Sequence, residues 1–320
     1  MVIYLMSAIS ISTVFLFGCI GEIITEKSGH LNLGIPGIMC MGTFGGCFGA
    51  SIYMNALAAQ EDAVWLLLVL ISIFFAMLFA AFGGAIYAFL TVTLRCNQNI
   101  TGLALTTFGS GFTDYFMKTI NMDRFAWASK VMRYSLPFAD KLGWFGEIFL
   151  SHGVLVYLAI AVAIAVAIVF KRTRIGLNLR AVGENPATAD AAGVNVTLYK
   201  YVHLLIGGAI CGLGGAYISL VTCAGNWQQD CVSGQGWIAV ALVIFVSWKP
   251  AKALWGAFFF GALRILKLYV PASVISLPSA FYLMLPFAVT CVVLVLSSIR
   301  MRRENQAPAA CGVNYFREER

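Results

Sequence analysis

Six stretches of this chain run for 20 or more residues without a charged side chain: 2–21, 31–60, 63–94, 148–170, 201–229 and 268–299. A bilayer core about 30 Å thick takes about 20 apolar residues of helix, so such a chain is built to fold in a membrane. Shorter runs at 96–113, 231–248 and 253–263 raise the expected number of spans to about nine. Hydrophobic residues make up 60% of the chain and charged residues 11%, which excludes a soluble globular class. No β-barrel alternation runs through the apolar stretches. The expected fold is all-α, a polytopic integral membrane helical bundle with some helices broken or re-entrant. Residues 1–299 form the membrane domain in this reading, and 300–320 a disordered tail. Residues 2–21 lack the basic start and the cleavage pattern of a signal peptide, so they read as a mature span.

The Lys and Arg residues fall unevenly between alternate loops. One set holds Lys27, Arg95, the five in 171–200, Lys249, Lys252 and the five beyond residue 299, fourteen in all. The other holds seven: five in 118–152, with Arg264 and Lys267. The positive-inside rule places the first set in the cytoplasm, with the N-terminus outside and the C-terminus inside. Residues 63–94 as one straight helix would reach about 48 Å, which predicts a break or tilt at Gly83-Gly84. Pro271, Pro278 and Pro286 interrupt the last stretch, and Gly34-Ile35-Pro36-Gly37 opens the second. Small residues four apart, at Gly42 and Gly46, Gly45 and Gly49, and Gly208 and Gly212, predict close helix packing. Broken helices within a membrane line cavities, so the pattern predicts a passage.

The polar hairpin KRTRIGLNLRAVGENPATADAAGVNVTLYK (171–200) carries a helix that no membrane anchor needs. Asn185 suits its N-cap, Pro186 its first position and Gly193 its left-handed exit. It reads either as an ordinary solvated loop or as a docking element that passes force between a soluble motor and a channel.

Chemistry of other kinds has little footing. GxxxxGK[ST], HExxH and GxSxG are all absent, so the chain is not expected to be an enzyme or to bind ATP itself. The nine cysteines mostly sit inside spans without CxxC spacing, and His30, His152 and His203 are scattered, so no metal is expected. The net charge of +7 lies at membrane edges and does not point to nucleic acid. Glu22 and Glu26 read as a solvated pair or as partners of Lys27. Asp114 reads as an interfacial ion pair beside Tyr115 and Lys118. In the outer segment 118–152, Arg124, Lys130, Arg133 and Lys141 alternate with Phe125, Trp127, Tyr134, Trp144 and Phe145. That surface suits lipid headgroups or a landing protein, and both readings stand.

Four blocks carry a family resemblance: GEIITEKSGHLNLGIPGIMCMGTFGG (21–46), IGLNLRAVGENPATADAAGVNV (175–196), GQGWIAVALVIFVSWKPAKALWGAFFFG (234–261) and LPSAFYLMLPFAVT (277–290). In order along the chain, they resemble permease subunits of ABC importers for nucleosides and simple sugars, the nucleoside branch most closely. Two features depart from the pattern. Val246-Ser247 stands where the third block usually has Gly, and the tail from Cys311 to Arg320 has no counterpart.

The resemblance implies a multi-pass protein of the bacterial inner membrane that pairs with a second permease chain, the same or different. A cytoplasmic ATPase would carry the ATP-Mg, and an external binding protein or lipoprotein would deliver a nucleoside or sugar. The docking residues it implies are Arg180, Gly183, Glu184, Asn185, Asp190, Ala192 and Gly193. A nucleoside has a flat base and a polar ribose, which amides, hydroxyls and aromatic rings suit. Pathway candidates are therefore Asn32, Asn99, Thr106, Thr107, Ser110 and Thr113, with Asn226, Trp227, Gln228 and Gln235 on the outer side. The competing role for the hydroxyls is helix–helix hydrogen bonding. The alternative function is an ion-coupled secondary transporter, which needs ionisable groups in mid-span.

Overall fold

The computed structural model describes residues 1–121, 123–135, 143–226, 228–269, 278–300 and 306–316. Trp227, Lys141, Pro271, Arg302 and Arg303 lie outside them. No strand occurs among the described residues, which form helices α1 (Val2–Lys27), α2 (Ile35–Ala56), α3 (Trp65–Ala88), α4 (Gln98–Met117), α5 (Phe125–Met132), α6 (Gly143–Leu150) and α7 (Val154–Arg172). After these come α8 (Arg174–Glu184), α9 (Pro186–Ala191), α10 (Val196–Tyr217), α11 (Ser233–Phe245), α12 (Pro250–Tyr269) and α13 (Ser279–Arg300). Five helices are long and apolar enough to cross a membrane: α1, α2, α7, and α3 and α10 with the π-turns that extend them to Thr93 and Thr222. The other four apolar runs coincide with α4, α11, α12 and α13. Of these, α11 has 13 residues, and the apolar part of α13 is Ala280–Leu296.

The glycines explain the centre of the bundle. Helix α2 opens on Gly34 with Pro36 in its first turn, where a missing N–H costs nothing. Gly42 and Gly46 then face α10: a Cβ on Gly42 would overlap Gly212, and one on Gly46 would lie 2.6 Å from Ala216 Cβ. Gly45 and Gly49 face α3, against the carbonyls of Phe75 and Ile71. Residues four apart share a helix face, so these two pairs make two adjacent seams. On a further side Gly37 meets Gly109 of α4. Helices α2 and α10 are consequently the enclosed centre, with α3 and α4 to one side and α1 packed against α10, α12, α11 and α7.

The expected break at Gly83-Gly84 does not occur. Helix continues from Trp65 to Thr93, and the two glycines admit neighbours instead. A Cβ on Gly84 would sit 2.9 Å from the Leu204 carbonyl oxygen of α10, and one on Gly83 would sit 2.8 Å from Met41 Sδ. The irregularity falls later, in the π-turn 89–93. Pro286 stays inside α13, and the Thr290 hydroxyl donates to its carbonyl at 2.9 Å.

The segment 118–152 divides. Helix α5 turns back into the bundle, burying Phe125, Ala128, Val131 and Met132. Arg124 donates to the carbonyls of Met54 (2.7 Å) and Leu57 (2.8 Å), and Arg133 to that of Val221. Trp144, Phe145 and Phe149 on α6 remain exposed.

Candidate functional site

At one end of the bundle α7 gives way to α8 through Thr173, whose Oγ1 accepts from the Gly176 N–H at 3.2 Å. Helix α8 buries Gly176, Leu179, Val182 and Gly183. Gly183 is packed so closely on the Lys27 carbonyl that a side chain there would overlap it. Asn185 caps α9 as its sequence predicts, its Oδ1 accepting from the Thr188 N–H at 3.0 Å, and Gly193 leaves the helix at φ +85°. Val182, Ala189 and Val196 close a small core beneath, with Val194, Tyr199 and Tyr315 against it. Arg180, Glu184, Asn185, Ala192 and Gly193 lie exposed on the outer surface. Gly183 and Asp190 instead meet the C-terminal segment.

That segment, expected to be disordered, is fixed over residues 306–316. The Ala310 N–H donates to the Gly183 carbonyl at 3.0 Å, and the Tyr315 hydroxyl to Asp190 Oδ2 at 2.9 Å. Asn314 Nδ2 donates to the Arg95 carbonyl at 2.6 Å, while its Oδ1 accepts from Gln98 Nε2 at 3.2 Å. The Arg95 guanidinium stacks 4.7 Å from the Phe316 ring centre. Composition suggests disorder, but a few specific anchors hold this polar segment in place. Burial, with Glu26 and Glu22 nearby, pushes the Cys311 thiol up.

A second set of polar groups lies under the start of α2. Glu22 and Glu26, expected as a solvated pair or as partners of Lys27, are buried, and Glu26 bears on Lys27. Glu26 accepts from Trp248 Nε1, and Glu22 Oε1 from the Asn32 N–H at 3.3 Å. Asn32 Oδ1 takes the Gly34 N–H at 2.9 Å, Gln98 Oε1 the Leu31 N–H at 2.8 Å, and Tyr87 donates to the Leu31 carbonyl at 2.7 Å. Tyr87, Gln98 and Trp248 thus anchor the end of α1 and the α1–α2 turn to α3, α4 and the α11–α12 turn, while Glu22 and Asn32 brace the turn itself. His30 is buried in the same turn, and desolvation with the Lys200 charge holds its imidazole well below the usual range.

A cleft of about 670 Å³ opens between α2, α4 and α11. Helix α4 lines it with Thr106, Thr107, Ser110, Gly111 and Asp114, α2 with Pro36 and Cys40, and the region of α11 with Asp230, Val232, Gly234 and Trp237. Three of the ten predicted pathway residues, Thr106, Thr107 and Ser110, therefore share one wall. Thr113 is buried and bonds the Gly109 carbonyl of its own helix at 2.8 Å. Thr106 donates to the Leu33 carbonyl in the α1–α2 turn at 2.9 Å and to the Gly102 carbonyl of its own helix at 3.2 Å, so neither hydroxyl bridges two helices. Asn32 lies in the buried anchor, Asn99 is exposed near the start of α4, and Asn226 and Gln228 are exposed. Gln235 is buried with Nε2 on the Cys231 carbonyl at 3.2 Å, and its Oε1 lacks a partner. Asp114, expected beside Lys118, accepts instead from Gln229 Nε2 at 3.2 Å.

Sequence reasoning missed Asp230 and Trp237. Trp237 sits two residues beyond Gln235 inside the GQGW motif, and its ring fits the same criterion that selected Trp227.

Comparison with known proteins fits this arrangement. A putative glucose ABC transporter permease of Haloferax volcanii is 34% identical over 82% of this chain and 76% of its own length. A nucleoside ABC transporter permease of Lactococcus lactis is 30% identical over 96% of this chain and 95% of its own. A guanosine ABC transporter permease of Bacillus subtilis is 31% identical over 94% and 92%. Residues 4–294 match the family described as branched-chain amino acid transport system, permease component, and the chain belongs to that family of membrane-embedded ABC transport subunits.

Proposed function

We infer that this chain forms the membrane pathway of an ATP-driven nucleoside importer, with the α4–α11 cleft as part of the solute route. The observation that carries the reading is the make-up of that cleft. Hydroxyls of Thr107 and Ser110 and the carboxylates of Asp114 and Asp230 suit a ribose, and the Trp237 ring suits a base. Likeness to two nucleoside permeases over nearly the whole chain supports the same solute.

The loop charges put α8 and α9 in the cytoplasm, the N-terminus outside and the C-terminus inside. There the exposed Arg180, Glu184, Asn185, Ala192 and Gly193 meet a groove of the ATPase subunit, which alone binds ATP-Mg. Closure of the ATPase pair pushes α8–α9, and the push reaches α1 through Gly183 on Lys27, α7 through the Thr173 joint, and α10 through Asn195, whose Oδ1 caps it by accepting from the Leu198 N–H at 3.0 Å. A second permease chain completes the pathway, and an external binding protein delivers the solute. Glu22 and Glu26 line none of the clefts described above, and no observation favours an ion-coupled carrier.

The test is ATP-dependent uptake of radiolabelled nucleosides by the complex reconstituted with its ATPase and binding protein. The expected result is uptake inhibited by unlabelled nucleosides and not by glucose. Trp237→Ala should lower it by about tenfold through lost stacking, and Trp237→Phe should retain most of it. Uptake of glucose in preference to nucleosides would replace this solute with a sugar, the reading that the Haloferax relative favours. Uptake without the ATPase would overturn the importer reading itself.

A further inference from the structure

Helices α7 and α12 pack side by side, and a groove follows their junction. At the α8 end it opens into a cleft of about 510 Å³ whose walls carry five cations from four places in the fold. These are Lys27 of α1, Lys171 of α7, Arg180 of α8, and Lys249 and Lys252 around the start of α12. Glu184 and Glu26 bear on Lys27, as do Arg180 and Lys249, and neither acid lines the cleft. The turn that forms one wall holds Ser247 and Trp248 both at φ +55°, a conformation side chains rarely adopt and one that clusters at functional sites.

The cleft does not end in polar surface. Ala167, Lys171 and Ala251 also line a hollow of about 350 Å³, completed by Ala163, Ile164, Ile168 and Leu254 with Arg172 at its rim. Leu254 leads on to a third space of about 530 Å³, walled by Ile160, Val156, Leu16 and Trp255 among others. From Lys171 back to Ile160, α7 travels about 16 Å, close to half of a 30 Å bilayer core. The alanines leave a channel where larger side chains would fill it. A site cationic at the membrane edge and apolar for one leaflet's depth has the dimensions of a single acidic lipid.

We propose that the α7–α12 groove is a binding site for an anionic glycerophospholipid. Its phosphate lies among Lys171, Arg180 and Lys252, and one acyl chain runs over Ala167, Ile164 and Leu254. Basic pockets between spanning helices attract acidic headgroups, and here the headgroup bridges α7, α8 and α12. The lipid therefore adds a further tie between the loop helix α8 and the bundle. A free phosphate would use the cations and leave the apolar run without a role.

Native mass spectrometry of the delipidated complex, titrated with dioleoyl phosphatidylglycerol or dioleoyl phosphatidylcholine, tests the site. Phosphatidylglycerol should bind about 30-fold tighter than to the K171Q/K252Q variant, which loses two of the attracting charges. K171R/K252R should bind as the unaltered protein does. Ala167→Phe, which obstructs the apolar run without touching charge, should also weaken binding. Millimolar inorganic phosphate should leave bound phosphatidylglycerol in place. Equal affinity for phosphatidylcholine, or indifference to both K171Q/K252Q and Ala167→Phe, would overturn the proposal. Displacement by phosphate would make this a plain anion site. Binding to the single chain but not to the assembled complex would give the groove to a second copy.

Discussion

The Tyr315 hydroxyl donates to the Asp190 carboxylate at 2.9 Å across 125 residues of sequence, and so joins the end of the described chain to the helix that faces outward at α9. A hydrogen bond to a charged group contributes about 1.5–3 kcal/mol when protected from water, and this part-buried one belongs at or below the lower end. Tyr315→Phe should therefore raise amide exchange in 306–316 and in α9 by roughly tenfold and leave α2 and α10 unchanged. Hydrogen-exchange mass spectrometry reads both regions at once.

Gly193 leaves α9 in the left-handed region, and its N–H donates to the Asp190 carbonyl at 3.0 Å. Proline meets neither requirement, because its φ is fixed near −65° and it has no N–H. Gly193→Pro should abolish stimulation of the partner ATPase while the permease still folds into the membrane. Glu184→Arg should do the same from the exposed surface. The assay is ATPase turnover of the reconstituted complex beside the chain's gel-filtration profile, and normal stimulated turnover in either variant would remove α8–α9 from the docking role.

Neither Gly42 nor Gly212 admits a side chain, Gly42 because of Gly212 and Gly212 because of α3. Gly212→Leu would drive carbon into Ala80 and the Ala76 carbonyl, a backbone clash beyond the 1–3 kcal/mol typical of an overfilled core. The expected outcome is loss of the monodisperse peak in detergent, whereas Gly111→Ala on the cleft wall, where an added Cβ meets nothing within 4 Å, should be silent.

Trp248→Phe keeps the ring but leaves the buried Glu26 without its indole donor. Depriving a buried carboxylate of a partner costs about 1–3 kcal/mol, so the thermal midpoint should fall by several degrees. A melting curve followed by intrinsic or dye fluorescence measures this, and an unchanged midpoint would show that Glu26 is satisfied otherwise.

His30 gives the molecule a dependence on pH. Burial lowers the affinity of the folded state for a proton at this ring, whereas the unfolded chain titrates near 6.5. The unfolded state then binds more protons as pH falls below about 6.5, and stability should decline there. His30→Gln should flatten the decline between pH 6.5 and 5, as read from denaturation midpoints across that range.

Local features were legible in the sequence. Asn185, Pro186 and Gly193 define α9 because caps act within a single turn. The glycine pairs of α2 predicted close neighbours because four-residue spacing fixes a face, although not which helix fills it. Gly83-Gly84 reads as a break or tilt, and only the approach of Leu204 of α10 and Met41 of α2 shows that the pair admits neighbours instead. Long-range partners were the part not readable. Trp248 reaches Glu26 across 222 residues and Asn314 reaches Arg95 across 219, and nothing near either acceptor signals them. At the cleft the hydroxyl wall of α4 was visible from composition, while Asp230 and Trp237 joined it only through the approach of α11.

The seams on three sides of α2 also limit how the passage can change shape. Glycine contacts bind α2 to α10, α3 and α4 at backbone distance, and Gly21 joins α1 to α10 in the same way. Helices glued at that distance cannot slide or splay without losing contact along their length. The α11 side is seamed in the same way, with Gly236 against Pro36 of α2 and Ala239 against Gly18 of α1, so both walls of the cleft belong to one rigid frame. Distance probes between Ser110 and Trp237 should therefore report as little travel as a pair on α2 and α10.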